Sequence, residues 1–454
     1  MLPGFPRPDA CRMQEVLKEL AEEWVGGGKE WPTGLAGLDN RLLAAAAEDA
    51  RLLLQEVLRV FGRRAPGQHV HAIKKRNMLT ACGWIEVSRA YCRPLRRLGQ
   101  GAASRAAHGA ASSAFPLDAA TGLVKGATPA ARDRVARCAA LCGSFAEGRQ
   151  MLAHLTPVRI ATATLRAMAL RAGQKALDRQ ENPPPDIRRP QDPPAPGDTR
   201  RVSQSPRTLY IMMDGSGVPC TKADTEGVKG RSLDGTAGKR EIKVGIIGYY
   251  GWLDRFGRPV PEPGSVTHVI TAAEASEFGT LMRKAANSRG YGIALRVQIV
   301  GDGADWIAHI VAQAFPGALF TVDFYHACEH LHILCLELHL PDATTFQVYR
   351  QLKGLLFRYG AQSLLKRLNT TYAQTLQQSP VAQKERAYFE KRINAMRYGE
   401  FRKQGLYIGS GPVEAACRTD VARRCKQAGM HWRHHNAARI CAILASLRSD
   451  TLAA

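Results

Sequence analysis

Long apolar runs are missing from this 454-residue sequence. No stretch of about 18 apolar residues occurs, which excludes an ordinary membrane-spanning helix. The opening residues, MLPGFPRPDACRMQEVLKEL, lack a basic segment followed by an apolar one, so no secretory signal is expected. Cysteine is sparse, at 11 positions; that is too few for a disulfide scaffold in so long a chain, and a reducing cytoplasm is the expected compartment. Acid is also short: 40 Asp and Glu face 63 Lys and Arg, a formal charge of +23. Such a surplus favours an anionic partner, nucleic acid first, because a polyphosphate rewards many Lys and Arg contacts through counterion release.

What is present is globular. Hydrophobic residues make up 45% and charged residues 23%, so a wholly disordered chain is excluded. At roughly 150 residues per domain the length suits about three domains. Residues 1–66 read as a helical N-terminal region: Val16, Leu17, Leu20 and Trp24, then Leu42, Leu43, Leu52, Leu53, Val57 and Leu58, recur at helical spacing. Residues 67–118 read as a short β segment and a loop, with the β-branched and aromatic content of a hairpin up to Tyr91. Residues 119–180 are helical again. Thr128-Pro129 opens one helix and a break at Leu155-Thr156-Pro157 starts a second, which carries Arg159, Arg166, Arg171 and Lys175. This pair suits a DNA-binding helix-turn-helix or an ordinary helical hairpin.

Residues 181–207 hold eight prolines, a composition that builds no core and reads as a linker. Beyond it, 208–215, 240–250 and 265–271 look like three strands in succession. A helix, a fourth strand at 295–303, a helix and a fifth strand from 317 follow. Three strands, helix, strand, helix, strand is the order of an RNase H-like α/β core, a mixed five-stranded sheet with flanking helices. Residues 335–400 read as a helical insertion in this 208–454 domain, and 411–448 as one or two further helices.

Three acids stand where this fold needs them. Asp214 follows Leu-Tyr-Ile-Met-Met, Asp302 follows Val-Gln-Ile-Val-Gly, and Glu414 lies in the first turn of a helix opened by Pro412. Functional groups gather at the carboxyl ends of strands in open α/β sheets. Clustered carboxylates repel unless a cation neutralises them, so the trio predicts Mg²⁺ or Mn²⁺ on Asp214, Asp302 and Glu414, the arrangement of metal-assisted phosphoryl transfer.

The segments MMDGSGVP (212–219), GDGADWI (301–307), DFYHACEHL (323–331) and GSGPVEAACRTDVARRCKQAGMHW (409–432) occur in this order. Together they resemble DDE transposases of bacterial insertion sequences, in particular the ISKra group (Kra-four type) related to the mutator lineage. GWIEVSRAYCRP (83–94) and FPLD (115–118) resemble the family more weakly. The resemblance implies an RNase H-like core with Asp214, Asp302 and Glu414 catalytic. It implies binding of terminal inverted repeats and target DNA, strand cleavage by water, and joining by the freed 3′-OH. Action on two ends implies a homo-oligomer, at least a dimer.

Asp323, with His326 and His330, is a supporting group or an alternative second acid. Zinc is doubtful. The family's cysteine pairs have no counterpart between Cys92 and Arg137, and His326/His330 with Cys328/His332 lack a second ligand pair nearby. Arg418, Arg423, Arg424, Lys426 and Arg433 suit phosphates flanking a scissile bond, as do Arg240 and Lys243. Trp432 suits an unpaired base. The rival readings are an RNase H-like nuclease or resolvase that does not join strands, and a catalytically inactive DNA-binding derivative.

Overall fold

The computed structural model describes residues 34–63, 69–92, 115–186, 203–230 and 237–449, together with 15, 16, 18, 19 and 22. The expected helix around 16–24, most of the Pro-rich 181–207 segment and the glycine-rich tract at 231–236 therefore lie largely outside the described residues. The chain divides into two compact units, Met1–Ala169 and Leu170–Ala454.

In the first unit, helix α1 (Gly34–Gly62) precedes the antiparallel hairpin β1 (Val70–Thr80) and β2 (Gly83–Cys92). Met78, Ile85 and Val87 of the hairpin pack with Leu58 and Leu117 as a small core. Arg89 is buried and ion-paired with Asp118, which lies in the first turn of α2 (Pro116–Ala120). The single helix expected after Pro129 is two, α3 (Pro129–Leu141) and α4 (Phe145–Leu155). The break has a local cause. The Ser144 hydroxyl accepts from Glu147 N at 3.1 Å, and Glu147 returns a carboxylate oxygen to Gly143 N at 3.0 Å. This arrangement, close to a capping box, opens a new helix. Helix α5 (Thr162–Glu181) follows and spans the division between the units, so that division falls earlier than the proline tract.

Beyond α5, residues 182–186 are anchored to the second unit. Asp186 pairs at 2.9 Å with Arg289, a residue only 1% exposed, and Ser288 donates to the carbonyl of Pro184. The proline-rich stretch thus begins as a moored strap.

The second unit is built on a six-stranded mixed sheet. Its strands are β3 (Ser203–Pro219), β4 (Lys239–Leu253), β5 (Pro259–Pro261), β6 (Thr267–Thr271), β7 (Val297–Gly301) and β8 (Leu319–Val322). β4 runs antiparallel between β3 and β6, and β3, β7 and β8 run parallel in that order. With the short β5 set aside, the order β6-β4-β3-β7-β8 is that of an RNase H-like core. The central strand explains itself: Leu209 to Met213 are all at most 1% exposed, the continuous apolar run of a strand covered on both faces. On one face Leu209, Ile211 and Met213 meet Phe278 and Met282 of α6 (Ala275–Ser288) and Ile307 of α7 (Asp305–Ala314). Gly245 permits this approach, since a Cβ there would lie 2.2 Å from the Met282 sulfur. Elsewhere Tyr210, Tyr250 and Tyr407 cluster edge-on, 4.7–5.5 Å between centroids.

The helical insertion enters through α8 (Phe324–Leu336) and continues through α9 (Asp342–Tyr359), α10 (Ala361–Thr371) and α11 (Pro380–Lys391). It carries its own core, in which Leu331 and Leu334 meet Leu352, Leu356, Leu364, Leu368 and Phe389. The chain returns to the sheet at α12 (Gly411–Ala416), passes through a π-helical stretch, Cys417–Ala422, and ends in α13 (His434–Arg448). No helix among the described residues is long and apolar enough to cross a membrane.

Candidate active site at the carboxyl edge of the sheet

Asp214 does not end its strand. The apolar run stops at Met213, but β3 and β4 continue paired through Asp214↔Val244 to Pro219↔Lys239. What ends near Asp214 is the parallel pairing: the last β3–β7 partners are Met212 and Val300. A two-stranded ribbon therefore runs past the acid, and Asp214 lies at the carboxyl edge of the parallel part. On the neighbouring strand Asp302 is the first residue beyond β7, so the two aspartates share that edge.

Glu414 reaches the same place through the loop before α12. Phe324 N donates to Ile408 O at 2.8 Å, and Asp323 receives both the N–H and the hydroxyl of Ser410. Asp323 also caps α8 by accepting from His326 N at 2.7 Å, and it is 1% exposed. Both of its oxygens are occupied by protein donors. Beyond Glu414 the π-helical turn buries Asp420 completely, between His268 Nδ1 at 2.7 Å and Arg448 at 3.2 Å.

The three acids share one electrostatic environment. Burial pushes the Asp214 carboxyl above its ordinary value. The Cys417 thiol at 3.2 Å and the Gly215 N–H pull the other way, and the charges of Asp302 and Glu414 push it further up. Burial, with the Asp214 charge beside it, likewise raises the Cys417 thiol and keeps it a hydrogen-bond donor. The donor set is all carboxylate oxygen, the chemistry that suits Mg²⁺ or Mn²⁺ and not zinc. The donors are not assembled, however: among the described residues no three His, Cys, Asp or Glu side chains stand in a cluster that could hold an ion. Asp214 is turned to Cys417 and Gly215, Asp302 to Ala304 N at 2.8 Å, and Glu414 to the Ser410 hydroxyl at 2.6 Å. The donor chemistry fits a hard divalent cation, and holding one between all three requires the side chains to come closer together.

The basic residues divide into two groups. Arg418, Arg423, Lys426 and Arg433 are exposed, Arg433 with one contact to Asp224 at 3.1 Å. Lys243, Arg424 and Trp432 depart from the expectation of DNA-facing side chains. Lys243 is 7% exposed and held by Glu241, and Arg424 is 2% exposed with its guanidinium 5.1 Å from the Trp432 ring. Trp432 is itself buried, its backbone bridged to Cys220, so it presents no face to a base. Arg240 donates to the carbonyl of Asp224. The alternation arises because the final segment packs one side on the β3–β4 ribbon and leaves the other to solvent. His326 contacts Glu329 at 3.7 Å, whereas His330 turns into the insertion, toward Glu385.

Ser410, Cys417, Tyr388 and Arg392 also belong to the surroundings of these acids, and sequence reasoning passes over them. Ser410 and Cys417 stand four before and three after Glu414, the helical spacing that brings side chains together. Tyr388 and Arg392 carry no such signal.

No protein-family model matches the chain, and no curated protein matches it. Among solved structures it is similar to the Drosophila P element transposase strand transfer complex, at 15% sequence identity and a TM-score of 0.21, over 70% of this chain and 79% of that one.

Proposed function

We propose that this chain is a DNA transposase of the DDE type, of the ISKra kind found in bacterial insertion sequences. In this reading it binds terminal inverted repeats and cuts and rejoins DNA strands, acting as a homo-oligomer. The observation that supports the reading is that Asp214 and Asp302 share the carboxyl edge of the parallel strands of an RNase H-like sheet and that the charge of Glu414, 200 positions after Asp214, acts on the same carboxyl. A divalent cation held by these carboxylates supplies charge neutralisation for phosphoryl transfer. The chain's own part is to bring the acids together, to brace the loop before Glu414 through Ser410 and Asp323, and to hold DNA phosphates with the exposed Arg418, Arg423, Lys426 and Arg433.

One observation favours a second reading, a DNA-binding derivative without catalysis: the acids are individually hydrogen-bonded and not gathered into an ion-holding cluster. Purified protein incubated with a duplex carrying an element end, with and without Mg²⁺, separates the two. Metal-dependent nicks followed by joined products support the transposase. Nicks without joining indicate a nuclease, and binding without nicks indicates the inactive derivative.

A further inference from the structure

Helix α11 of the insertion reaches back to the loop that carries Asp302. Tyr388 Oη donates to the main-chain carbonyl of Asp302 at 3.2 Å, and Arg392 Nε donates to the carbonyl of Gly303 at 2.8 Å. The same guanidinium pairs with Asp305 at 2.7 Å, at the start of α7. Tyr388 lies in the last turn of α11 and Arg392 is the residue that closes it, so the C-terminal end of the helix presents one face to both contacts.

The face is itself braced. Arg392 lies 4.4 Å from the centroid of the Tyr388 ring, and His330 of α8 stacks on that ring at 3.6 Å and 18°. His330 is in turn held by Glu385. Gly303 makes the approach possible. Its φ is +85°, and a Cβ there would lie 2.8 Å from Tyr388 Oη and 3.2 Å from Arg392 Nε.

β7 pairs with β8 up to Gly301, one residue before Asp302. At Asp302 the ladder no longer fixes the backbone, and the direction of the carboxylate depends on whatever grips the loop. We infer that Tyr388 and Arg392 are positioning residues for Asp302: the helical insertion, through these two side chains, sets where the second carboxylate of the acid edge stands. The inference rests on the proposed role of Asp302 as a metal ligand.

Two variants of the full chain test it. Tyr388→Phe keeps the ring and its stack on His330 and deletes one donor. Arg392→Lys keeps the charge and deletes the Nε–H. The readouts are amide hydrogen exchange across 301–305 and Mn²⁺ affinity by electron paramagnetic resonance titration, with melting temperature and DNA binding as controls. Exchange at Gly303 to Asp305 is expected to rise about fivefold, the factor for losing one net hydrogen bond. Mn²⁺ affinity is expected to fall roughly tenfold, as when an outer partner of a metal ligand is removed, with both controls unmoved. Unchanged exchange overturns the clamp, and raised exchange with unchanged Mn²⁺ affinity overturns its role in positioning Asp302. A parent protein that binds no Mn²⁺ overturns the metal reading instead, while exchange still decides whether the clamp holds the loop.

Discussion

Asp323 accepts the main-chain N–H of Ser410 at 2.5 Å and its hydroxyl at 2.9 Å, and the same hydroxyl lies 2.6 Å from Glu414. A serine hydroxyl has one proton to give. When Asp323 takes it, Glu414 faces a lone pair and is free to seek a cation. The arrangement braces the loop without fixing the acid. Asp323→Ala takes the acceptor from the main-chain N–H groups of Ser410 and His326 and is expected to cost about 2–3 kcal/mol of stability. Ser410→Ala keeps the N–H contact and should cost about 1 kcal/mol or less. Urea unfolding of the two variants checks the order, and equal losses would remove Asp323 from its bracing role.

Asp214→Asn and Glu414→Gln are expected to leave DNA binding within about twofold, while strand cleavage falls by more than the roughly 10- to 100-fold that an outer-shell change produces. Gel shift and nicking assays on the same preparations check this. Variants that still cut at the parent rate would take both acids out of the chemistry.

DNA binding should weaken steeply as salt rises from about 50 to 200 mM, because phosphate contacts release counterions. Each of Arg418→Ala, Arg423→Ala and Arg433→Ala is expected to reduce the slope of log affinity against log salt by about one. Lys243→Ala and Arg424→Ala, at buried positions, are expected to lower melting temperature and leave that slope alone. Identical slopes in all five would show that the exposed arginines do not meet phosphate.

His434 is half-buried, with Nε2 2.8 Å from the carbonyl of Glu241, and burial lowers its pKa below the ordinary 6.5. The folded state therefore prefers the neutral ring more than the unfolded chain does. The stability this lends is complete above pH 6.5 and is lost as pH falls from there through the folded value. Denaturation midpoints measured from pH 7.5 down to about 5 should decline, and His434→Gln should flatten the decline. A variant as pH-sensitive as the parent would assign the effect to another group.

Much of the second unit was legible because its signals are local. The run Leu209–Met213 marks a strand buried on both faces, and the alternation of strands and amphipathic helices marks the sheet around it. The acids at 214, 302 and 414 each follow a readable stop: an apolar run, a second apolar run, a Gly-Ser-Gly-Pro turn. Other features depend on tertiary contacts that no local pattern carries. The continuation of β3 beyond Asp214 is set by pairing with β4, not by hydrophobicity. The burial of Lys243, Arg424 and Trp432 is set by packing against the ribbon, although their composition alone suits a nucleic-acid face. Tyr388 and Arg392 find the Asp302 loop across more than 80 residues. The break between α3 and α4 is a different case, since Ser144 and Glu147 spell a cap in the sequence itself.

The chain departs from the sheet at Phe324 and comes home at Ile408, and those two residues are joined by a hydrogen bond of 2.8 Å. An excursion whose doorway is latched shut can grow or shrink in its interior without shifting the frame on either side, because the entropy of closing a loop rises only slowly with its length. Only the few side chains that lean back on the Asp302 loop would have to be kept. Shortened forms of the insertion that retain α8, Tyr388 and Arg392 should therefore preserve the contact between Asp323 and Ser410, making this segment the natural place to exchange modules.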